Sequence, residues 1–221
     1  MLIALVGVKN SGKDAVADII QKYVRAERMA FANKLKEVCS NQFNLDMSFF
    51  HDRLLKESDL NTKEALGYIR SINILEDFGI NTSNLTIEQV NYIGSLSIVV
   101  LDTPRSIMQI VGSQLLRHFD IEIHLKTIEI EKLTGINIVT DVRMPNELKY
   151  LSGYPGKFVP LYIQRDSAEE KVTENSHESE KNVFLIRDNC IKINNNGSLE
   201  DLEDVVVGIL NLKDSLLEEV V

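Results

Sequence analysis

A lysine at the end of a glycine loop is the first group in this 221-residue chain whose type and position point to chemistry. The loop reads Gly7-Val8-Lys9-Asn10-Ser11-Gly12-Lys13-Asp14. Backbone N–H groups of such a loop wrap a phosphate, and the helix that follows adds the positive end of its dipole. Lys13 then sets a cation on the β- and γ-phosphates of a nucleotide. Gly7 and Gly12 allow turns that a Cβ would obstruct. Asp14 stands where a Ser or Thr ordinarily meets magnesium. The competing reading is a glycine-rich turn that binds nothing. An apolar run before the loop and a helical pattern after it favour the nucleotide.

A second group lies at Asp141-Val142-Arg143, at the end of another apolar run. In open α/β sheets the ligand crevice lies at the carboxyl ends of the strands, which puts both side chains where a nucleotide would be. Asp141 is suited to hold magnesium, directly or through water, and Arg143 to grip a phosphate with its planar fork. The alternative for Arg143 is an ion pair with Glu147 that caps the following helix. His177-Glu178-Ser179-Glu180 has a metal-like spacing, but one His among acids reads better as part of a mobile loop. Lys34 and Lys36 are candidate substrate contacts that a solvated helix face explains as well. His51 and Arg53 have no partner in the sequence pattern and read as surface residues.

The elements that must position these groups alternate between strand and helix. Residues 1–6 are continuously apolar, as in a strand buried on both faces, and residues 15–24 repeat at helical spacing. Residues 27–32 read as a second strand and its exit, and 33–39 as helix. From 44 to about 95 the chain turns polar and helical. Phe49, Phe50, Leu54 and Leu55 form one stripe, 62–78 another, and Thr86-Ile87-Glu88-Gln89 has the form of a capping box. This predicts a helical subdomain inserted into the core, the usual place for a lid or an acceptor-binding arm. Residues 96–101 resemble a strand or a loop packed on the core. Thr103-Pro104 opens a helix running to Arg117, with a hydroxyl N-cap and proline at N1. Gly112, in its middle, costs about 1 kcal/mol against alanine, so it marks close approach by a ligand or by another helix. Residues 121–133 fit both periods, with helix preferred. Strands are expected at 136–141, 158–163 and 190–193, with a strongly polar stretch at 166–182. Asn194-Asn195-Asn196-Gly197 then turns into a closing helix from Ser198 to about Lys213.

Acidic residues outnumber basic ones by 33 to 24, for a net charge of −9, and no basic run offsets them. This argues against nucleic acid as a partner and leaves any anionic substrate to locally clustered Lys and Arg. No apolar stretch approaches a membrane span, and the N-terminus reads as a core strand rather than a signal peptide. Cys39 and Cys190 are too few and too far apart for a disulfide framework or a zinc site. The expectation is a soluble cytoplasmic protein.

The segments 7–14, Gln109-Ile110-Val111-Gly112-Ser113, Thr140-Asp141-Val142-Arg143-Met144-Pro145-Asn146-Glu147 and His177-Glu178-Ser179-Glu180 fall in a recognisable order. In that order the chain resembles the bacteriophage-type deoxynucleoside monophosphate kinases. Ile193-Asn194-Asn195-Asn196-Gly197-Ser198-Leu199 is similar to the close of that family and of related small P-loop kinases such as dephospho-CoA kinase. The match covers both ends and the core but not 44–95. The loop alone is generic; its aspartate after the lysine, with the Asp-Val-Arg-x-Pro-Asn-Glu run, is more specific.

The resemblance implies an α/β fold with a P-loop NTPase-type parallel sheet flanked by helices. It implies ATP-dependent phosphorylation of a dNMP to a dNDP with Mg2+, in a homodimer, in the host cytoplasm if the chain is phage-encoded. Ser11, Gly12, Lys13, Asp14 and Ala15 would cradle the ATP phosphates, Arg165 would close over them, and Asn195 to Gly197 would border the adenine. Lys9, Arg105 and Arg143 would hold the dNMP phosphate, with Lys36, Gln109, Gly112 and Glu147 also on the acceptor side. Lys13, Arg143 and Lys9 form the expected catalytic set. The chain departs from the family at Ala15, commonly a threonine, so Mg2+ would rely on Asp14, Asp141, waters and the phosphates. A kinase of another small acceptor such as dephospho-CoA, or a non-catalytic NTP-binding protein, stays open beside this reading.

Overall fold

The computed structural model of the chain describes residues 1–52, 54–60 and 63–211; Arg53, Thr62 and the expected helix end at Lys213 lie outside the described residues. The chain divides into two compact units: Met1–Phe31 with the chain from Ile128 onward, and Ala32–Thr127. The first unit begins with β1 (Leu2–Val6), α1 (Lys13–Tyr23) and β2 (Ala26–Met29). The second unit holds α2 (Ala32–Phe43), α3 (Ser48–His51), β3 (Glu64–Ala65), α4 (Tyr68–Asp77) and α5 (Ile87–Ser97). It continues with β4 (Val100–Leu101), α6 (Pro104–Gln109), a π-helical segment Ile110–Leu116 and α7 (Arg117–Phe119). The first unit resumes with β5 (Ile136–Val142), α8 (Pro145–Leu151), β6 (Phe158–Gln164), α9 (Asp166–Glu169) and α10 (Glu178–Ile186). β7 (Ile191–Asn194) and α11 (Leu199–Leu210) complete it.

In the first unit five strands form one parallel sheet in the order β2-β5-β1-β6-β7. β1 is buried at every residue, with Ile3 in register with Ile138 on one side and Val159 on the other. Val16, Ala17 and Ile20 of α1 share a core with Leu202, Val206 and Leu210 of α11 and with sheet residues Ile3, Leu5, Leu161 and Ile193. Burying one such aliphatic side chain contributes about 1.5–3 kcal/mol, so a strand with no polar position belongs at the centre. The unit is α/β, a five-stranded parallel sheet flanked by helices. Parallel strands deliver their carboxyl ends to one edge of the sheet. That edge carries the loop after β1, Arg143 after β5, Arg165 after β6 and Asn195 after β7.

The second unit, which contains the expected insert, packs its own core from Leu35, Val38, Cys39, Phe50, Ile74, Leu75, Ile93, Ile107 and Leu115 among others. The capping box at Thr86 forms with Gln89, and Thr103 caps its helix in the same way with Ser106. Three expectations are corrected. The strand at 96–101 is confined to Val100–Leu101, which pairs antiparallel with β3 in a separate two-stranded sheet, because Leu96 and Ser97 finish α5. The helix at 121–133 is instead a run of turns with two 3-10 turns, Leu125–Thr127 and Ile130–Lys132. Its buried residues Ile123, Leu125, Ile128 and Ile130 recur every two or three positions, too closely for one α-helical face. In the first unit, the polar 166–182 is only partly loop: α9 lies within it and α10 begins there, where the ring of His177 accepts the Ser179 N–H. Among the described residues no helix is long and apolar enough to cross a membrane.

Candidate functional site

The loop after β1 folds around Lys13. Its ammonium donates to the carbonyl oxygens of Gly7 at 2.7 Å and Val8 at 2.8 Å. Asn10 and Gly12 have φ of 70° and 104°, left-handed values that Asn tolerates and Gly adopts freely. At Gly12, the N-cap of α1, a Cβ would collide with the side-chain amide of Asn195. At Gly7 it would lie 2.5 Å from Ser11 Oγ and 3.0 Å from the Ile163 carbonyl. Both glycines therefore serve the packing of the loop, as well as its turns. The Asn195 amide donates to the Ser11 carbonyl at 2.7 Å, tying the loop to the end of β7. Ser11 Oγ is fully buried and has no hydrogen-bond partner among the described residues.

The field at Lys13 identifies its neighbours. Burial, then repulsion from Arg143, lowers its pKa from 10.5 to about 8, partly offset by attraction to Glu180, Asp14 and Asp141. The loop lysine, the Arg and Asp of the β5 end, and Glu180 of α10 thus form one electrostatic cluster in the first unit. Arg143 pairs through its guanidinium with Glu180. Glu180 also accepts the Lys9 backbone N–H, at 2.6 Å. Glu147 does something else: one carboxylate oxygen accepts the backbone N–H of Arg143 at 2.8 Å and of Met144 at 3.0 Å. It is buried and satisfies donors at the start of α8, where a helix leaves N–H groups unpaired. Glu147 thus meets Arg143 through that residue's backbone N–H, and the guanidinium pairs with Glu180. Glu180 is the site residue that sequence reasoning passed over. Its signal was present, because the His177–Glu180 run lies in order with the loop and the Asp141–Glu147 run.

Asp14 is exposed in the first turn of α1, and Asp141 Oδ1 accepts the Phe31 N–H at 2.9 Å. Among the described residues no three His, Cys, Asp or Glu side chains converge as a metal-holding group. Two carboxylates suit a Mg2+ that keeps most of its shell as water and phosphate oxygens, and do not suit one caged by protein alone. Ala15 supplies no hydroxyl and packs its methyl against the core. Arg165 is exposed at the end of β6, and Asn196 accepts the Asp166 N–H nearby. A Cβ at Gly197 would press on the Asp201 carboxylate, the group that closes the capping box of α11.

Four predicted acceptor residues lie in the second unit. Arg105 pairs with Glu57 at 2.6 Å, and Lys36 is half-buried on α2 near His51, whose pKa is lowered by burial and then by Lys36. Gln109 is half-buried at the end of α6. Gly112 is buried within the π-helical segment, and a Cβ there would lie 2.7 Å from Leu35 of α2. Its carbonyl contacts His124 Nε2 at 3.2 Å. A neighbouring helix thus makes the close approach at Gly112. No family model and no curated protein matches the chain.

Proposed function

We propose that this chain is a P-loop phosphotransferase that moves the γ-phosphoryl group of ATP to a deoxynucleoside monophosphate. The observation that carries the proposal is the cluster at the carboxyl edge of the sheet. A loop lysine, half-buried and depressed to about 8, sits with Arg143, Asp14 and Asp141 in one field. Phosphoryl transfer needs positioning and charge neutralisation more than covalent chemistry, and this cluster offers both. In this reading Lys13 holds the transferring phosphate and the loop N–H groups hold its neighbours. Arg143, released from Glu180, and Lys9 hold the acceptor phosphate in line. Asp14 and Asp141 would hold Mg2+ through its waters, and the ion would neutralise charge on the phosphates. The resemblance in motif order, from the glycine loop through Asp141–Glu147 to His177–Glu180, supports the choice of acceptor class.

A coupled ADP-release assay across dNMPs, NMPs and dephospho-CoA tests it. Turnover with dNMPs alone is the expected result. Turnover with dephospho-CoA reassigns the acceptor, and ATP binding without turnover on any of them makes the chain a non-catalytic NTP-binding protein.

A further inference from the structure

Glu180 offers more than a partner for Arg143. Its two carboxylate oxygens divide the work: one accepts the Lys9 N–H from the glycine loop and the other pairs with the Arg143 guanidinium. A loop N–H and a planar guanidinium are the donors that a phosphate oxygen seeks. The Glu180 side chain is 14% exposed and that of Arg143 29%, so the pair is partly desolvated at the mouth of the loop. Lys9 itself is exposed at the surface of the loop.

Resting on the phosphate-binding reading of the loop, we propose that Glu180 is an internal stand-in for a substrate phosphate. Its carboxylate fills an anion subsite made by the Lys9 N–H and Arg143, and a phosphate enters that subsite by displacing it. Two anions cannot share these donors at contact distance without strong repulsion. Entry of phosphate thus requires the first turn of α10 to leave the loop. Residues 170–177, which precede it, carry no helix or strand and are mostly exposed, and the buried residues of α10, Val183 and Ile186, lie beyond its first turn.

The test uses the full chain and inorganic tripolyphosphate, which has no base, in titration calorimetry. Glu180→Gln keeps the shape and removes the charge. If the carboxylate fills the subsite nine-tenths of the time, the variant binds tripolyphosphate about tenfold more tightly than the parent. In the parent, hydrogen exchange across residues 178–186 accelerates when tripolyphosphate is added, a readout that needs no variant. A permanent brace for Arg143 gives the opposite outcome: Glu180→Gln binds less tightly or equally, and exchange in α10 stays unchanged. Either result overturns the inference while leaving the phosphate reading intact, provided that the parent binds. If neither protein binds tripolyphosphate, the phosphate reading of the loop falls and takes the inference with it.

Discussion

Lys13 should make nucleotide affinity depend on pH in a window where few other groups titrate. Its pKa falls from 10.5 to about 8, mainly because burial strips water from the ammonium. That drop corresponds to about 3 kcal/mol against the charged form. The unfolded lysine keeps its proton to the ordinary value, so between pH 8 and 10.5 the unfolded chain binds more protons than the folded one. This group's contribution to stability therefore rises with pH through that window, and below pH 8 the folded state carries the full penalty. A bound polyphosphate reverses the balance by supplying negative charge to the ammonium. About three-quarters of the lysine is protonated at pH 7.5 and about 3% at pH 9.5, so affinity should fall about 25-fold between them. Titration calorimetry with a non-hydrolysable ATP analogue, without metal, reads this directly. Lys13→Met should bind weakly with no such slope, keep its fold, and lose more than about a hundredfold in turnover, as expected for removing about 3 kcal/mol of charge stabilisation. A flat profile in the parent, or the same slope in the variant, would refute the placement of Lys13 at the phosphates.

Asp14→Asn should raise the Mg2+ concentration for half-maximal rate more than it raises the KM for ATP at saturating metal; an unchanged metal requirement returns Asp14 to a helix N-terminal charge. Arg143→Lys keeps the charge but loses the fork, and should weaken dNMP binding in calorimetry without ATP, whereas unchanged dNMP affinity removes Arg143 from the acceptor site. Glu147→Gln should lower stability by about 1–2 kcal/mol in urea melts and spare dNMP affinity, since its carboxylate serves two backbone donors. Gly112→Ala should destabilise by about 1–3 kcal/mol through contact with Leu35, and should cost less when made in a Leu35→Ala background; strictly additive losses would refute packing as the reason for the glycine.

Much of the scaffold was legible in the residues. The apolar run at β1, the glycine loop and the periodicity of α1 specify strand, turn and helix locally, and the hydroxyls of Thr86, Thr103 and Ser198 mark helix starts that the structure contains. Such signals are readable because each rests on neighbours within a few positions. The misreadings fall where short apolar stretches serve packing without regular period, as in 96–101 and 121–133. There the burial of Ile123, Leu125, Ile128 and Ile130 is set by the surrounding core.

Identity and approximate place of the candidate groups were thus determined by the sequence itself: Lys13 on a loop, Asp141 and Arg143 at a strand end. Partnership was decided only in three dimensions. The sequence put Arg143 four residues from Glu147, the natural pair, yet the buried Glu147 carboxylate is taken by backbone donors and the guanidinium reaches Glu180, 37 positions away. Asn195, 184 positions from Ser11, closes on the loop carbonyl because the parallel order β1-β6-β7 brings those strand ends to one edge. At Gly112 the close approach implied by a mid-helix glycine is made by Leu35, from another helix of the same unit. Spacing along a chain states what a residue can do; which competing donor or neighbour reaches it first depends on strand order and core packing, and these are properties of the folded whole.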